Sequence, residues 1–569
     1  MEARDQVRVA FPEPAGDNAR ALAASLKLSI TVADHLARQG FADDQITRDY
    51  LDPKLAHLTS PENMLDRDAA IDRICRAITA HEHIALFADY DCDGITSAAI
   101  MTEGIRALGG NVVPRLANRF AGGYGLSKAS VDKLLQGRPS LLITCDCGSS
   151  DHEQLARVGR TGADVIVIDH HLVPQESLPA VAFLNPQREG CGFAYKNLAS
   201  CGLALSLVAG LRRHLGVKLD VRRWLDLVAI GTVADMVPLD GDNRVLVRAG
   251  MRRMQEVPRL GLQVLGELAK VQWHAGITSD TISFYLAPRL NAPGRLGDAT
   301  DALALLMATD ERTARLLAGN VDSARNERRR IQDLIVQQAQ QQIDDNHWHT
   351  DPALVLAHHT WHPGVVGIVA SCLVEQYGVP SIVIGYDGEI GRGSVRGPKG
   401  VSVYDLLQAC DGVPVGYGGH HAAAGVTVEL AKVDKLRECF LEAARHQIER
   451  GAQDSRIVAN VRLDPADDPV RVADDLLWLE PCGVGNEVPL VGLEGARVVQ
   501  SREVRGGHLQ VHVQTPAGVV LYGFGPRMGH WARRLKASSR IDVIGSLRRD
   551  TFRGGDAVAL NIAAIELAH

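Results

Sequence analysis

The sequence of 569 residues is long enough for three or four domains of ordinary size. Hydrophobic residues make up 46% and charged residues 23% of the chain, which is typical of a globular protein. No apolar run approaches the roughly 18 residues that a membrane span needs, and residues 1–6 include acids where a secretory signal would be apolar. The sequence therefore predicts a soluble, cytoplasmic protein.

The formal net charge of −7 at pH 7 excludes a protein coated in basic surface. It does not exclude nucleic-acid binding, because acidic metal ligands lower the total while a local groove stays positive. The 10 cysteines include no Cys-x-x-Cys pair, and the spacing Cys145-Asp-Cys147 suits neither structural zinc nor a disulfide framework. Reduced thiols are therefore expected.

The apolar pattern divides the chain into five segments. In the second, short and nearly continuous apolar runs alternate with helical patterns, which is typical of a parallel sheet covered on both faces. Alternating apolar and polar residues near the end favour a small β-barrel. The predicted segments are an N-terminal helical segment (1–60), an α/β domain (61–299), a connecting helix (300–345), a second α/β domain (346–455) and a barrel (456–569).

Four arginines interleave with the apolar stripe of the predicted connecting helix: Arg325, Arg328, Arg329 and Arg330. A solvated helix face explains them, and contact with phosphate is the alternative that stays open.

Acidic and histidine side chains follow apolar runs at the points where the predicted strands end. They are Asp89, Asp91 and Asp93 after the run ending at Phe87, Asp146 after Thr144, Asp169, His170 and His171 after Ile168, and Asp235 after the run 229–234, which we interpret as a fourth strand. Ligands of open α/β sheets bind outside the carboxyl ends of the strands, so these side chains are expected at one edge.

Carboxylates packed this closely raise one another's pKa, and a divalent cation relieves the conflict. Oxygen-rich ligation with one or two imidazoles suits Mn²⁺ or Mg²⁺ better than thiolate-bound zinc. A cluster of this size could hold two ions about 3.5–4 Å apart, an arrangement suited to phosphoryl transfer.

Other sites fit less well. The stretch Asp89-x-Asp-x-Asp-Gly94 resembles half of an EF-hand loop, but Ile100 stands where that loop needs a bidentate Glu. The chain has no Gly-x-x-x-x-Gly-Lys-Ser/Thr phosphate loop, and Gly391 to Gly397 lacks the dinucleotide-binding spacing. The pair His358 and His362 lacks the Glu of a zinc-protease helix, which leaves a structural or phosphate-contacting role.

Eight motifs occur in order along nearly the whole chain: Ala88-Asp-Tyr-Asp-Cys-Asp-Gly-Ile-Thr-Ser97, Thr144-Cys-Asp-Cys-Gly148, Asp169-His-His171, Ala234-Asp-Met-Val-Pro238, Ala287-Pro-Arg-Leu-Asn-Ala-Pro-Gly-Arg295, Trp361-His-Pro-Gly-Val-Val-Gly-Ile-Val-Ala370, Gly418-Gly-His-His-Ala-Ala-Ala-Gly425 and Pro481-Cys-Gly-Val-Gly-Asn486. Together they resemble the DHH phosphoesterase superfamily, and within it the single-strand-specific exonucleases. The resemblance implies an α/β fold with a parallel-sheet DHH domain, a long connecting helix, a second α/β DHH-associated domain and a C-terminal OB-like β-barrel.

The resemblance also implies site residues. Two divalent cations, Mn²⁺ or Mg²⁺, would be held by Asp91, Asp93, Asp146, His170 and Asp235, with Asp89 as a further ligand. His171 would lie beside the scissile phosphate as a charge stabiliser or proton donor, and Asp169 would orient the histidines. Phosphate-binding residues would be Arg119, Arg289, Arg295, Ser394, Arg396 and His420, although surface solvation or ion pairing remains the alternative for each arginine. Ser394 and Arg396 match the family's Gly-Ser-x-Arg motif, which resembles a 5′-phosphate pocket and could fix the polarity of digestion.

Two positions depart from the family pattern. Cys372 replaces an arginine frequent in the family, and Gly397 stands where a serine commonly follows Arg396. Both departures concern the phosphate pocket and leave the metal ligands complete.

The implied function is metal-assisted, 5′ to 3′ hydrolysis of single-stranded DNA in repair and recombination. Two alternatives remain: a phosphodiesterase or pyrophosphatase acting on small substrates, and a non-catalytic replication scaffold. The expected partner is single-stranded DNA, with a single-strand-binding protein and a helicase as candidate protein partners. We expect a monomer without membrane association.

Overall fold

A short strand and three helices open the structure, a computed structural model that describes residues 8–120, 125–450, 456–550, 553 and 557–568. The first elements are β1 (Arg8–Ala10), α1 (Asp17–Leu26), α2 (Ile30–Arg38) and α3 (Gln45–Leu51). The helices agree with the predicted amphipathic pattern, whereas β1 gives no recognisable signal in sequence because it is only three residues long.

The first α/β domain contains a parallel sheet with the strand order β3-β2-β4-β5-β6. Ala88 lies opposite Cys145, and Cys145 lies opposite Ile168, so the three central strands end at one level. The elements are α4 (Arg67–Thr79), β2 (His83–Ala88), α5 (Cys92–Ala107), β3 (Asn111–Leu116), α6 (Lys128–Leu135), β4 (Leu141–Cys145), α7 (His152–Gly159), β5 (Asp164–Ile168), β6 (Ala182–Leu184) and α8 (Ser200–His214).

Helices complete this domain: α9 (Leu225–Asp235), α10 (Gly241–Glu256), α11 (Leu260–Ala269), α12 (Ala287–Leu290), α13 (Ala292–Leu296) and α14 (Thr300–Leu306). The prediction of a strand ending at Asp235 is wrong, because residues 225–235 form α9. Residues 225–233 are all buried, and a continuous apolar run fits a fully buried helix as well as a buried strand.

The connecting helix α15 (Glu311–Asp345) is shorter than predicted. Residues 300–306 form the separate helix α14, and the Asp310 side chain caps α15 by accepting a 2.9 Å hydrogen bond from the Thr313 backbone N–H. This capping explains why the helical pattern breaks before residue 311.

The second α/β domain has a mixed sheet in the order β10-β11-β9-β8-β7, of which only β7 and β8 run parallel. Its elements are β7 (Leu354–His358), α16 (Val366–Tyr377), β8 (Ser381–Asp387), β9 (Ile390–Arg396), α17 (Val403–Gln408), β10 (Gly416–Gly419), β11 (Ala423–Glu429) and α18 (Val433–Arg450).

The C-terminal strands form a barrel that β14 closes by pairing with both β15 and β17. Leu22, Val32 and Leu36 of α1 and α2 share a hydrophobic core with barrel residues, and β1 pairs with β12. The N-terminal helices therefore belong to the barrel's packing unit. The elements are β12 (Arg456–Val458), β13 (Val461–Arg462), α19 (Pro469–Asp475), β14 (Val491–Val504), β15 (His508–Gln514), β16 (Val520–Gly525), α20 (Trp531–Arg534), β17 (Arg540–Arg549) and β18 (Val558–Leu567).

The barrel unit contacts the first domain through the segment 479–486. The Arg244 guanidinium lies 3.8 Å from the centroid of the Tyr50 ring and donates a 3.0 Å hydrogen bond to the carbonyl of Leu479. The buried Glu480 carboxylate accepts hydrogen bonds from the backbone N–H and the hydroxyl of Ser279, at 3.1 and 2.8 Å. This joint places the barrel next to the loop that follows α9.

A second contact joins the barrel to the other α/β domain, where the Arg527 guanidinium lies 3.4 Å from the Glu375 carboxylate of α16. The contacts therefore form a closed circuit through both α/β domains, α15 and the barrel. Within the described parts of the chain, no helix is both long enough and apolar enough to cross a membrane.

Candidate metal centre

The ends of three parallel strands place the acidic residues that follow them at one edge of the sheet. Asp91 caps α5, because its carboxylate accepts hydrogen bonds from the backbone N–H groups of Asp93 and Gly94, at 3.0 and 3.2 Å. A side chain at Gly94 would meet the Asp89 carbonyl oxygen at 2.4 Å, so this turn requires glycine. The turn thus brings three carboxylates of one short stretch to the sheet edge.

His170 joins the acids from the end of β5 and Asp235 joins them from the end of α9. The His170 Nε2 atom lies 3.4 Å from an Asp146 oxygen, 3.4 Å from an Asp235 oxygen and 3.9 Å from an Asp93 oxygen. Asp235 ends a helix and not the predicted strand, but it still lies at the predicted edge of the sheet, because the buried segment ends there.

Three groups of side chains offer ligand atoms that lie within 4.8 Å of one another. They are Asp146, His170 and His171; Asp93, His170 and Asp235; and Asp89, Asp91 and Asp146. The structure therefore brings together all six predicted metal ligands, and it places His171 among them.

The charges of this cluster are not balanced by the protein. Burial, followed by the charges of Asp93 and Asp91, raises the pKa of Asp235 to about 8. Burial and neighbouring carboxylates also raise the pKa of Asp89 and of Asp146 far above the usual range. Such a cluster has excess negative charge that a divalent cation would neutralise.

The donor atoms fit a cation as well. Burial lowers the pKa of His170, which favours the neutral ring, and its buried Nε2 atom has no hydrogen-bond partner among the described residues. The buried Asp89 Oδ1 atom likewise has no partner within the described part of the chain. Neutral imidazole and ionised carboxylate are the forms that ligate metal ions, so the residues present fit a divalent cation.

Asp93 is fully buried and also anchors a helix. Its two carboxylate oxygens accept hydrogen bonds from the backbone N–H groups of Ser200 and Cys201, at 2.8 and 2.9 Å, at the first turn of α8. The Ser200 hydroxyl donates to Asp146 at 3.1 Å. Sequence analysis missed this support by α8, because the pairing joins residues more than 100 positions apart, and no local motif marks it.

Asp169 and His171 form a hydrogen-bonded pair beside the acidic cluster. The His171 Nδ1 atom lies 2.7 Å from an Asp169 oxygen, and Asp169 also accepts from the backbone N–H groups of His170 and Ser149. Burial alone would raise the pKa of Asp169, but these hydrogen bonds outweigh it and hold the pKa at about 2. Burial would lower the pKa of His171, but Asp169 raises it to about 9.

Two of the predicted phosphate-binding arginines lie next to the acidic cluster. The Arg119 guanidinium lies 4.7 Å from the centroid of the Tyr90 ring, in the stretch that holds Asp89 and Asp91. Arg295 is close enough to Asp91 for its charge to affect the pKa of the arginine, and a side chain at Gly364 would meet the Arg295 carbonyl oxygen at 1.9 Å. The loop before α16 thus packs directly on α13.

Ser394 and Arg396 lie on β9 against the start of α16. A side chain at Gly367 would meet the Ser394 hydroxyl at 3.1 Å and the Arg396 guanidinium at 3.3 Å, so glycine lets α16 pack close to these two side chains. The departures predicted to affect this pocket also fall here: Gly397 directly follows β9, and Cys372 lies on α16.

Two other predicted phosphate-binding residues lie apart from these groups. Arg289 is buried, its Nε atom donates to Asp322 at 2.8 Å and its Nη1 atom donates to the Tyr285 carbonyl at 2.7 Å, so it has structural partners. His420 is exposed in the turn between β10 and β11, three residues before Ala423, which is the register partner of Arg396. Their phosphate-binding roles stay predictions.

Three parts of the chain match family models. Residues 83–232 match the DHH family, N-terminal domain, residues 350–446 match the DHHA1 domain, and residues 460–564 match the RecJ OB domain. The single-stranded-DNA-specific exonuclease RecJ of Bacillus subtilis is 32% identical over 95% of this chain and 68% of its own length. The protein of that name from Escherichia coli is 34% identical over 79% of this chain and 81% of its own length.

The chain belongs to the RecJ family of single-stranded-DNA-specific exonucleases. A crystal structure of Thermus thermophilus RecJ in complex with Mn²⁺ matches with a TM-score of 0.82 and 27% identity, over 100% of this chain and 80% of that one. The RecJ structure in complex with Mg²⁺ from the same organism matches with a TM-score of 0.76. The predicted resemblance and fold class are confirmed, including the OB-type barrel at the C-terminus.

The RecJ matches lie inside the second, fourth and fifth predicted segments. They cover shorter stretches than the bounds drawn from hydropathy, so those five sets of bounds stay predictions.

Proposed function

We propose that this chain is a metal-dependent exonuclease that hydrolyses single-stranded DNA from its 5′ end into mononucleotides, in DNA repair and recombination. The observation that carries the proposal is the buried acid–imidazole cluster, with its unpartnered His170 Nε2 atom, in a RecJ family chain. A phosphodiesterase of small substrates would not require the additional barrel. A non-catalytic scaffold would not need to retain every ligand position of the cluster.

The proposed ligands of two divalent cations, Mn²⁺ or Mg²⁺, are Asp89, Asp91, Asp93, Asp146, His170 and Asp235. Bound there, the ions would supply Lewis-acid activation of a water molecule and neutralisation of charge on the phosphate. The protein residues supply the fixed geometry, because strand ends and the start of α8 hold the carboxylates in place.

His171 is the proposed catalytic side chain, and Asp169 is its positioning residue. The Asp169 oxygen lies 2.7 Å from Nδ1 of His171 and fixes the ring, whose side chain is 39% exposed beside the acidic cluster and can therefore approach a phosphate oxygen of the substrate. The raised pKa of His171 favours a protonated ring, which stabilises negative charge on the phosphate and can donate a proton to the leaving oxygen.

The proposed grip on the strand uses two surfaces. Near the metal centre, guanidinium groups such as those of Arg119, Arg295 and Arg396 bind phosphate oxygens in a fork geometry. On the barrel, a small cavity is lined by polar and cationic side chains of β14 and β15 and by one arginine near β18: Gln500, Arg502, Gln510, His512 and Arg553. Stacked bases and a phosphate backbone fit such a surface.

An aromatic pair beside this cavity supports the same view. The His512 and Tyr522 rings lie 4.8 Å apart in an edge-to-face arrangement, and the Arg553 guanidinium lies 4.4 Å from the centroid of the Tyr522 ring. Flat side chains of this kind stack on bases without reading their sequence.

The proposed partner is single-stranded DNA, with a single-strand-binding protein and a helicase as candidate protein partners. We place the protein in the cytoplasm, as a monomer without membrane association.

The test compares wild type with Asp235→Ala on 5′-labelled single-stranded DNA, duplex DNA and RNA, each with Mn²⁺. Wild type is expected to release labelled mononucleotide first from single-stranded DNA and to leave duplex intact. Loss of Asp235 is expected to lower the rate at least about a hundredfold, because one ligand of the cluster is gone. Asp220→Ala, at an exposed aspartate paired with Arg222, is the matched control and should cut normally.

Unchanged activity of the Asp235 variant would contradict the metal assignment. Equal digestion of duplex would contradict the single-strand preference, and a label that leaves last would contradict the 5′ polarity.

A further inference from the structure

The last of the eight sequence motifs, Pro481-Cys-Gly-Val-Gly-Asn486, lies at the joint between the barrel unit and the first α/β domain. We call residues 481–486 the joint segment. It contacts the loop that follows α9, because the Leu239 backbone N–H donates a 2.7 Å hydrogen bond to the Val484 carbonyl. The barrel unit therefore touches the chain only four positions after Asp235, a proposed metal ligand.

The two glycines of the joint segment suit this close approach. A Cβ atom at Gly483 would meet the Leu239 Cδ1 atom at 2.7 Å. Gly485 has a φ of 76°, in the left-handed region that favours glycine, and a Cβ atom there would meet Pro238 at 3.4 Å. The spacing of the glycines therefore lets the joint segment pack directly on the loop after α9.

Asn486 shapes the joint segment. Its amide nitrogen donates to the carbonyls of Leu479 and Pro481, at 2.8 and 2.6 Å, and its Oδ1 atom accepts a 2.8 Å hydrogen bond from the Tyr50 hydroxyl. Its backbone exchanges two hydrogen bonds with that of Gly483, at 2.8 and 3.1 Å. Because Asn486 is also buried, these bonds fix the turn of the joint segment.

The end of α9 depends on contacts with other elements. Residues 225–233 are buried, whereas Asp235 is partly exposed. Met236 then turns the chain with a φ of 64°, which is unfavourable for a residue with a side chain, and it is 70% exposed. Such a conformation persists where the surrounding structure holds it. On the α10 side the Pro238 carbonyl accepts a 2.9 Å hydrogen bond from the Asn243 side chain, and the joint segment holds the next residue.

The Asp235 carboxylate differs from its neighbours in how it is held. Asp91, Asp93 and Asp146 each accept a hydrogen bond from a backbone N–H or a hydroxyl group. Within the described part of the chain, no such donor engages the Asp235 carboxylate, whose recorded neighbour is His170 Nε2 at 3.4 Å. The position of the backbone at the end of α9 therefore decides where the Asp235 oxygens lie.

We propose that Asn486 is a positioning residue of the metal centre. Through the joint segment it holds the loop after α9, and thereby keeps the Asp235 carboxylate in place to bind a divalent cation. The barrel unit then contributes to the metal centre without supplying a ligand. This inference rests on the proposed function, because it assumes that Asp235 is a metal ligand.

The test measures Mn²⁺ binding to the full-length protein without DNA, by titration against the electron paramagnetic resonance signal of free Mn²⁺. Wild type is expected to bind two ions per chain. Asn486→Ala is expected to bind one of them about tenfold more weakly, because a ligand of that ion is no longer held in place. The other ion should keep its affinity, because the ligand group of Asp89, Asp91 and Asp146 does not contain Asp235.

Arg248→Gln is the matched control. The Arg248 guanidinium donates to the carbonyls of Leu477 and Glu480, at 3.0 and 3.3 Å, at the same joint but outside the joint segment. The control variant should bind both Mn²⁺ ions as wild type does, even where its melting temperature is lower.

A second variant keeps the test decisive if Asn486→Ala folds poorly. Gly483→Ala retains Asn486, but its added methyl group pushes on Leu239. It is expected to weaken the same Mn²⁺ site by about 3- to 10-fold.

Unchanged affinities for both ions in a folded Asn486→Ala or Gly483→Ala protein would overturn the proposal. Equal weakening of both ions, or the same weakening in Arg248→Gln, would overturn it as well, because either result indicates a general loosening of the joint. A wild type that binds no Mn²⁺ would contradict the proposed function itself, whereas unchanged variants of a wild type that binds two ions contradict only this inference.

Discussion

Two clusters of like charge lie side by side, and they are built differently. The acidic cluster is buried, and the ends of three neighbouring strands and one helix hold its ligand atoms in three groups, each within 4.8 Å. The arginine cluster, which consists of Arg119, Arg295 and Arg396, is half-buried and combines residues from both α/β domains. The acidic cluster suits divalent cations, whereas the arginine cluster suits the phosphate groups of a substrate that binds and dissociates. The first cluster is therefore a rigid centre for chemistry, and the second lies beside it as a site for substrate binding.

The largest effect is expected from Asp146→Asn, which removes one negative charge from the acidic cluster. Asparagine tolerates the left-handed backbone at this position, where φ is 60°, and can keep the hydrogen bond from Ser200. Hydrolysis is expected to fall roughly a thousandfold, because a central carboxylate charge is lost. The metal-free variant is expected to melt at a higher temperature than metal-free wild type, because burial and Asp93 raise the pKa of Asp146, so folding at neutral pH must protonate the acid whereas asparagine is already neutral.

The same variant can be checked by its pH dependence. In the metal-free wild type the pKa of Asp235 is raised from 3.8 to about 8, so folding favours the protonated acid. Stability is therefore present below pH 3.8 and is lost as the pH rises towards 8. Asp146→Asn should show a smaller loss with rising pH, measured by thermal melting in a chelator, because Asp146, whose own pKa is raised by burial and by Asp93, no longer titrates. A lower melting temperature across the whole range would contradict the repulsion argument.

An intermediate effect is expected from two arginine variants, which together distinguish substrate binding from structural support. Arg295→Ala should raise KM about 10- to 100-fold with little change in melting temperature, because Arg295 lies near Asp91 and Arg119 at the metal centre and forms no ion pair within 4.0 Å among the described residues. Arg289→Ala should instead lower the free energy of unfolding by about 2–3 kcal/mol and leave KM unchanged, because Asp322 loses its guanidinium partner. Steady-state kinetics and denaturant unfolding of both variants separate the two roles. A tenfold rise of KM in Arg289→Ala would instead support the phosphate-binding role indicated by the sequence motif.

The smallest effect is expected at the joint between the barrel and the first domain, where Glu480 contacts Ser279. Burial raises the pKa of Glu480, whose Oε2 atom accepts hydrogen bonds from Ser279 and from the Cys482 backbone N–H. Glu480→Gln can keep these bonds without a buried charge, so its melting temperature should match or exceed that of wild type. Glu480→Ala should cost about 1–3 kcal/mol, because three donors lose their acceptor. If the two variants melt alike, the hydrogen bonds at this joint do not contribute to stability.

The two clusters also differ in how much of each could be predicted from sequence. Acidic residues directly after apolar runs could be placed at one edge, because parallel strands end together whatever the details of their connections. Asp235 lies at this edge, 3.4 Å from His170, even though its buried segment is a helix. The arginine cluster required motifs for Arg119, Arg295 and Arg396, and the placement of the arginines of α15 required the tertiary structure.

The physical reason lies in the range of the interactions. On a helix, consecutive residues such as Arg328, Arg329 and Arg330 point in directions about 100° apart, and only the packing of α15 on α16 leaves Arg328 partly buried while the other two are exposed. The contact of Ser279 with Glu480 joins residues 201 positions apart, and the support of Asp93 by α8 spans more than 100. Neither leaves a pattern in local sequence.

The exposed ion pair between Arg527 and Glu375 completes the circuit of contacts through the barrel and both α/β domains. An exposed pair of this kind contributes only about 0–1 kcal/mol. The barrel is therefore held firmly to the first domain by the buried hydrogen bonds of Arg244 and Glu480 and only weakly to the second α/β domain by this pair. Because salt screens exposed ion pairs more than buried hydrogen bonds, rising ionic strength should loosen the second contact first.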